Sequence, residues 1–309
     1  MSSLQYGIIG PGGIGGFYGG MLANAGKQVK FLFHSDYSYV KENGLRVDSV
    51  FGNFHLPQVS AFSSVQEMGG CDVIFVCLKT TQNHLLRYLL PPLIKKGTLV
   101  VLIQNGLGLE EDLHKDFPFL NIAGGMAFIC SQKLGPGHIS HLDYGKLTLA
   151  AYNEEGQSLV EQVVADVKES GVEAVTLPDL ESARWRKLVW NIPYNGSTVV
   201  LDTTTEDLMG NPVTQTLMRE LMEEVAGGAN ACGIKYPIEE SFITEMLDLT
   251  TDMALYSPSM KLDYDNHRPM EIEYIYSRPI QKALQSGFDM KKVAMLEKQL
   301  RFIQMKSLY

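Results

Sequence analysis

The chain reads as an α/β domain followed by an all-helical one, and three features of the sequence predict this. A short apolar run, Tyr6 to Ile9, leads into Gly10-Pro11-Gly12-Gly13-Ile14-Gly15 and then into an Ala/Leu/Met-containing segment that stops at Gly26. Two continuous apolar runs, Asp72 to Leu78 and Thr98 to Ile103, have the character of strands buried on both faces of a parallel sheet. From Asp179 onward, strand-like runs give way to helical spacing. The expected organisation is a nucleotide-binding α/β domain over residues 1–178 and a helical domain over residues 179–309.

The first feature is strand, glycine turn and helix, with the spacing G-x-G-x-x-G. The three glycines act differently. Gly10 permits the tight turn, Gly12 lets the backbone approach a pyrophosphate, and Gly15 lets helix and strand pack closely. The phosphates would rest on unpaired N–H groups at the helix N-terminus, where the macrodipole favours negative charge. Gln28 to Phe33 reads as the second strand. About 20 residues past the last glycine, an acidic residue reads the ribose of NAD or a cation reads the 2′-phosphate of NADP. Here the chain has His34-Ser35-Asp36. His34 and Ser35 are candidate donors to a phosphate. Asp36 either faces inward and repels it or belongs to a solvated turn.

Gly44 to Val59 reads as a hairpin or extended excursion, with Gly52-Asn53 as its turn. Two buried strands then discharge polar residues at their carboxyl ends, the edge where open α/β sheets bind ligands. Lys79-Thr80-Thr81-Gln82 follows the first, and Gln104-Asn105-Gly106 follows the second. Ile122–Cys130 and Gly137–Ala151 are expected strands, Leu159–Glu169 a helix, and Val172–Leu177 a last strand before Pro178. In the second half, helices fit Glu181–Val200, Pro212–Cys232, Ile238–Leu255, His267–Ser286 and Asp289–Lys306. Asp179 resembles an N-cap, and Gly233, Pro237, Pro258 and Gly287 punctuate the series.

Composition narrows the functional class. The 309 residues are 45% hydrophobic and 20% charged, ordinary for a globular protein. A net charge of −9 argues against a nucleic-acid partner and obliges any anionic ligand to find local cations. No run of 18 apolar residues suggests a membrane span, and no signal peptide is evident at the N-terminus. Cys71, Cys77, Cys130 and Cys232 are scattered without zinc spacing, and His138 and His141 have no ligand-spaced neighbours, so no metal is expected. The cytoplasm is the expected location.

Candidate chemistry lies on the helix from Glu181. Lys187, Asn191 and Asn195 are spaced i, i+4, i+8 and line one face. Trp185, Leu188, Val189, Trp190 and Ile192 make the rest of the helix apolar, which implies burial. A desolvated lysine has its pKa lowered and can serve as a proton donor. Pro193, lacking an N–H, should release a carbonyl near Val189. Further on, Ser259 reads as a helix cap, Asp263 as a partner for Arg268, and Glu271 as a residue of the next helix able to approach Lys187.

These residues carry a family resemblance. The chain is similar to the ketopantoate reductases through G-P-G-G-I-G at Gly10–Gly15, L-K-T-T-Q at Leu78–Gln82 and Q-N-G at Gln104–Gly106. W-R-K-L-x-x-N-x-x-x-N at Trp185–Asn195 and S-M-x-x-D-x-x-x-x-R-P-x-E at Ser259–Glu271 complete the set. The resemblance implies a Rossmann-type domain joined to an all-α domain of the 6-phosphogluconate dehydrogenase kind. It implies reduction of ketopantoate to (R)-pantoate with NADPH, a step towards pantothenate and coenzyme A, by a monomer or homodimer. Lys187 is then the general acid, with Glu271 in the catalytic set. Asn191, Asn195, Ser259 and Glu271 hold substrate, and Lys79 and Asn105 meet both cofactor and substrate. Gly10, Pro11, Gly12, Gly13, Ile14, Gly15, His34, Ser35 and Gln82 bind cofactor. Two positions depart from the family: His34 stands where an arginine is common, and Tyr276-Ser277 where an Asn-Gly pair is usual. Other readings are a reductase of another small 2-oxo or 3-hydroxy acid, or a non-catalytic dinucleotide sensor.

Overall fold

The computed structural model describes residues 3–251, 253 and 257–307. The chain divides into two compact units, one of residues 1–104 and 109–180, the other of residues 105–108 and 181–309. The short stretch Asn105–Gly108 therefore groups with the helical unit, although the residues on both sides of it group with the sheet.

The first unit is built on one sheet. Its strands are β1 (Gln5–Ile9), β2 (Gln28–Leu32), β3 (Leu45–Ser49), β4 (Phe54–Leu56), β5 (Ser60–Phe62) and β6 (Cys71–Val76). They continue with β7 (Ile94–Leu102), β8 (Asn121–Gly135), β9 (His138–Ala151) and β10 (Ala174–Thr176). The spatial order is β4-β3-β9-β8-β7-β6-β1-β2-β5, with β10 beside β9. β1 pairs in parallel with both β2 and β6, Ile9 lying opposite Leu32 on one side and Val76 on the other. The chain thus leaves β1 in one direction and returns on its other side, which makes β1/β6 the switch point of the sheet. The apolar runs read as doubly covered strands are β6 and β7, parallel neighbours whose Val73–Val76 and Leu99–Leu102 are fully buried. Around the sheet are α1 (Gly13–Asn24), α2 (Tyr37–Asn43), α3 (Val65–Met68), α4 (Leu86–Leu89), α5 (Leu109–Asp116) and α6 (Gln157–Glu169).

β9 covers nearly the expected stretch, whereas β8 runs well past Cys130, to Gly135. They form an antiparallel hairpin from Ala123↔Ala151 out to Gly135↔His138, and this pairing satisfies backbone groups whatever the side chains are. The arm carries polar residues far along the ladder, and β3 pairs with its outer part at His138–His141.

That pairing explains both histidines. His138 Nε2 meets Asp48 Oδ2 at 2.7 Å, a carboxylate brought by the sheet and invisible in local spacing. His141 is buried, its ring 4.2 Å from that of Phe17 and 4.8 Å from that of Phe51. Its Nε2 lies 3.0 Å from the carbonyls of both Asp143 and Tyr144, so that nitrogen carries the proton. Nδ1 then accepts from Ser49 Oγ at 2.8 Å. Among the described residues no group of three or more His, Cys, Asp or Glu is placed to hold a metal ion. None of the described helices is long and apolar enough to cross a membrane.

The second unit is helical: α7 (Leu180–Val200), α8 (Thr205–Gly210), α9 (Pro212–Ala231), α10 (Glu240–Thr251), α11 (Ser259–Asp265), α12 (Arg278–Gln285) and α13 (Lys291–Ser307). A π-helical turn at Glu273–Ser277 leads into α12. The expected end of α10 at Leu255 lies outside the described residues. The helix expected from His267 starts later, because Pro269 disfavours helical backbone at the residue before it. Glu271 accordingly precedes the helix rather than lying on it, and its carbonyl accepts from Ile275 N at 3.4 Å. The start of α13 is held by Glu224 of α9, whose carboxylate accepts from the N–H groups of Lys292 and Val293 at 3.0 and 2.7 Å. The core gathers Trp185, Leu188 and Ile192 of α7 with Met222, Ile275 and Leu300.

Leu107 belongs to this core. Its N–H donates to the carbonyl of Tyr274 in the π-turn at 2.9 Å. Gly106 has φ +119°, and a Cβ there would lie 2.5 Å from Tyr274 Cβ. Only glycine lets this loop lie against the turn.

Two outcomes follow for stability. Gly106→Ala should lower the denaturant midpoint of the helical unit well beyond Gly233→Ala. Gly233 also has a positive φ, but a Cβ there meets nothing within 4 Å, so only a left-handed penalty of about 1–2 kcal/mol applies. Equal effects would contradict the close approach. Burial lowers the pKa of His141, and the carbonyls on its ring oppose this only in part. The unfolded state therefore binds the proton more readily. Stability from this residue is complete above about pH 6.5 and is lost as pH falls through the depressed folded value. Chemical unfolding between pH 5 and 8 should show a weaker acid decline in His141→Gln than in the parent. An unchanged slope would refute the assignment.

Candidate active site

The glycine turn stands at the switch point, at the carboxyl end of β1. Gly10 has φ +83°, and a Cβ there would lie 2.9 Å from Leu78 N, so the turn is packed against the chain leaving β6. A Cβ on Gly15 would lie 2.6 Å from Gly10 O and 3.0 Å from Cγ2 of Ile8, which confines that position to glycine. Gly12 differs: a Cβ there would meet nothing within 4 Å. It occupies the N-cap of α1 with no side-chain cap and no acidic residue in the first turn. Gly12 N–H donates to Gly10 O at 2.8 Å, and no N-cap side chain bonds the N–H groups of the first turn, the place a pyrophosphate takes at a helix start. Pro11 is buried, and Gly13 and Ile14 are partly exposed at the same helix start. A Cβ on Gly13 would lie 2.7 Å from Ser131 O, so β8 packs against the turn.

Lys79 and Gln82 are exposed, just beyond β6, with Gln82 N donating to Lys79 O at 2.9 Å. Gln104 closes the neighbouring strand: its Nε2 donates to Leu78 O and to Asn83 Oδ1, both at 2.7 Å. At the end of β2, His34 and Ser35 are exposed and Asp36 is buried. Asp36 is not part of a solvated turn: it is buried and paired. Its carboxylate accepts from Lys133 Nζ through both oxygens at 2.9 Å, from Ser35 Oγ at 3.0 Å, and from Gly137 N at 3.3 Å. Burial alone would raise its pKa. The hydrogen bonds from Lys133 and Ser35, with the lysine charge and the Gly137 amide, hold it below the usual carboxylate value.

In the helical unit, α7 is buried on most of its circumference. Lys187 is partly exposed, whereas Asn191 and Asn195 are buried. The helix continues through Pro193, and Val189 loses the N–H that would otherwise meet its carbonyl. Lys187 Nζ lies 6.0 Å from the ring centroid of Trp190, whose indole N–H is anchored to Thr250 Oγ1 at 2.9 Å. Asn191 Nδ2 donates to Asn105 Oδ1 at 3.2 Å. Asn195 Oδ1 accepts from Met260 N at 3.0 Å. Ser259 therefore opens α11 without capping it; the cap comes from Asn195, through the backbone N–H of the next residue. Arg268 Nε donates to the buried Asp263 at 3.0 Å, the pairing their spacing suggested.

Glu271 is buried in this same unit. The departure at Tyr276 also finds its reason here. Its hydroxyl donates to the carbonyl of Ile192 at 2.9 Å, beside Gly196, where a Cβ would lie 2.7 Å from the Tyr276 oxygen. The helical unit thus assembles Asn105 with Asn191 and Asn195 with the start of α11, on the helix face that bears Lys187. Sequence reading missed the contributions of Lys133, Tyr274 and Tyr276. Lys133 stands far along the chain from Asp36, and Tyr274 acts through a carbonyl, which no residue type announces.

Comparison with known proteins gives one family. A model described as Ketopantoate reductase PanE/ApbA matches residues 6–154, and its C-terminal counterpart matches residues 179–304. A 2-dehydropantoate 2-reductase from Nostoc sp. is 46% identical over 308 residues, covering 98% of this chain and 96% of that one. The crystal structure of 2-dehydropantoate 2-reductase from Geobacter metallireducens GS-15 superposes with a TM-score of 0.93 at 37% identity, covering 97% of this chain and 99% of that one. A D-mandelate dehydrogenase solved with NADH and anilino(oxo)acetate gives a TM-score of 0.88 at 22% identity, covering 98% and 99%; at that identity the likeness speaks for the fold alone. On its sequence over nearly its whole length and on its fold, the chain belongs to the ketopantoate reductase family.

Proposed function

We propose that this protein reduces ketopantoate to (R)-pantoate with NADPH, in the cytoplasm, on the route to pantothenate and coenzyme A. The observation that carries the reading is the one polar face of α7, where Lys187 shares its side of the helix with Asn191 and Asn195, and Asn191 is bonded to Asn105. Residues 1–178 serve as the cofactor domain and residues 179–309 as the substrate domain, with Asn105 working alongside the second. The cofactor lies along the glycine turn Gly10–Gly15, with His34 and Ser35 at the ribose end and Lys79 and Gln82 beyond β6. The keto acid is held by Asn105, Asn191, Asn195, Ser259 and Glu271. The working form is a monomer or homodimer.

A bound nicotinamide supplies the hydride. As the hydride reaches the carbonyl carbon, charge builds on the oxygen. An ammonium beside that oxygen both stabilises the charge and gives up the proton that completes the alcohol. Lys187 is the residue of this face that carries a cation and a transferable proton. Glu271 is an acid facing an anionic substrate, so it does not clamp the carboxylate. It accepts a hydrogen bond from the substrate hydroxyl.

Purified protein should oxidise NADPH in the presence of ketopantoate, and faster than NADH. Lys187→Ala should lower kcat by about 10²–10⁴-fold, the usual scale for one general acid, with cofactor binding little changed. Glu271→Ala should chiefly raise KM for ketopantoate, while a keto acid lacking the hydroxyl is indifferent to the change. Turnover of Lys187→Ala close to that of the parent at pH 7 would remove the mechanism.

A further inference from the structure

The end of β2 is where a dinucleotide-binding sheet tells a ribose diol from a 2′-phosphate. Family members commonly place an arginine there, and this chain has His34 instead. Two features of the structure decide what takes the arginine's part.

The first is that Asp36 is saturated. An ionised carboxylate offers about four acceptor sites. Asp36 has bonds from Lys133 on both oxygens, from Ser35 Oγ on Oδ1 and from Gly137 N on Oδ2. Its side chain is only 7% exposed. It has no capacity left for the two hydroxyls of an NAD ribose. The same network uses the Ser35 hydroxyl proton, which the sequence had suggested for a phosphate.

The second is the position of Lys133. It lies on the outer part of β8, two residues after Ser131, whose Oγ donates to Gly13 O at 2.9 Å. One short stretch of β8 thus touches the glycine turn and the end of β2. Lys133 Nζ and Ser35 Oγ share Asp36 Oδ1 as acceptor, so the ammonium stands beside Ser35 and its exposed neighbour His34. An ammonium has three protons. Two are used on Asp36, and 38% of the side chain is exposed to solvent.

We propose that Lys133, oriented by Asp36, is the cation that reads the 2′-phosphate of NADP in this protein. Asp36 is a positioning residue, and by occupying it Lys133 also withdraws the acid that would otherwise favour NAD. The inference rests on the reading of the first unit as a dinucleotide-binding domain and concerns only the adenosine end of the cofactor.

The test is binding of two fragments to the full-length protein by calorimetry, with no keto acid present. Adenosine 2′,5′-bisphosphate carries the diagnostic phosphate and 5′-AMP lacks it. The parent protein should bind the bisphosphate at least tenfold more tightly than 5′-AMP. Lys133→Met should lose at least tenfold of the bisphosphate affinity and keep 5′-AMP binding within about twofold, whereas Lys133→Arg should retain the preference. Because Lys133→Met leaves Asp36 buried without its cation, the double variant Asp36→Asn with Lys133→Gln provides a neutral pair and should lose the preference likewise. Loss of both ligands equally in the folded double variant would make Lys133 merely structural and overturn the proposal. So would an unchanged preference, or a parent protein that binds 5′-AMP better. If the fragments behave as expected but ketopantoate is not reduced, the substrate reading fails and this one stands. If neither fragment binds, the dinucleotide reading itself fails.

Discussion

A helix buried on almost every side cannot leave amides on its remaining face without partners. That constraint organises the second half of this protein. Trp185, Leu188, Val189 and Ile192 hold α7 in the core, and a buried aliphatic side chain contributes about 1.5–3 kcal/mol. An amide buried without a hydrogen bond costs about 1–3 kcal/mol, enough to cancel one such contribution. Asn191 and Asn195 meet this demand by binding Asn105 and the first turn of α11. Segments far apart in sequence are therefore collected on one face because the helix needs partners for its amides. The same face carries Lys187.

The π-turn at Glu273–Ser277 belongs to the same arrangement. It offers the Tyr274 carbonyl to Leu107, and Gly106 has no side chain to prevent the approach. Asn105 is thereby fixed one residue away, where it meets Asn191. Wide turns of this kind tend to occur at functional sites, where a carbonyl is needed off the regular helical ladder. On the sheet, an equally economical device appears at the end of β2: one buried carboxylate takes its hydrogen bonds from the neighbouring hydroxyl and from a lysine and an amide of the β8–β9 hairpin. Breaking such a pair from one side would strand a buried charge, so its members are best understood together.

Much of this was legible in the sequence. The glycine turn, the doubly covered strands β6 and β7, the hairpin at Gly52-Asn53 and the polar stripe of α7 all follow from local spacing, because each depends on residues within one or two turns of chain. What escaped was long-range. His138 and Asp48 meet through the β3–β9 ladder, Lys133 and Asp36 through the length of β8, and Asn195 and Met260 through helix packing. Backbone groups were equally silent: the role of Tyr274 is carried by its carbonyl. Ser259 has the residue type of a cap, but the capping oxygen comes from another helix. The later start of the helix before α12 was readable from Pro269, and it places Glu271 in the approach to the helix instead of on it.

Catalysis of the proposed kind needs Lys187 as the donor of a proton, and not merely of a positive charge. Chemical rescue tests this most directly: turnover of ketopantoate by Lys187→Ala in the presence of small primary alkylammonium ions. Turnover should return in proportion to the concentration of the protonated amine, and the rescued rate should vary with amine pKa, as general-acid catalysis requires. A variant that still binds ketopantoate but gains nothing from any amine would contradict it. So would rescue equally strong with quaternary ammonium ions, which carry the charge but have no proton to give.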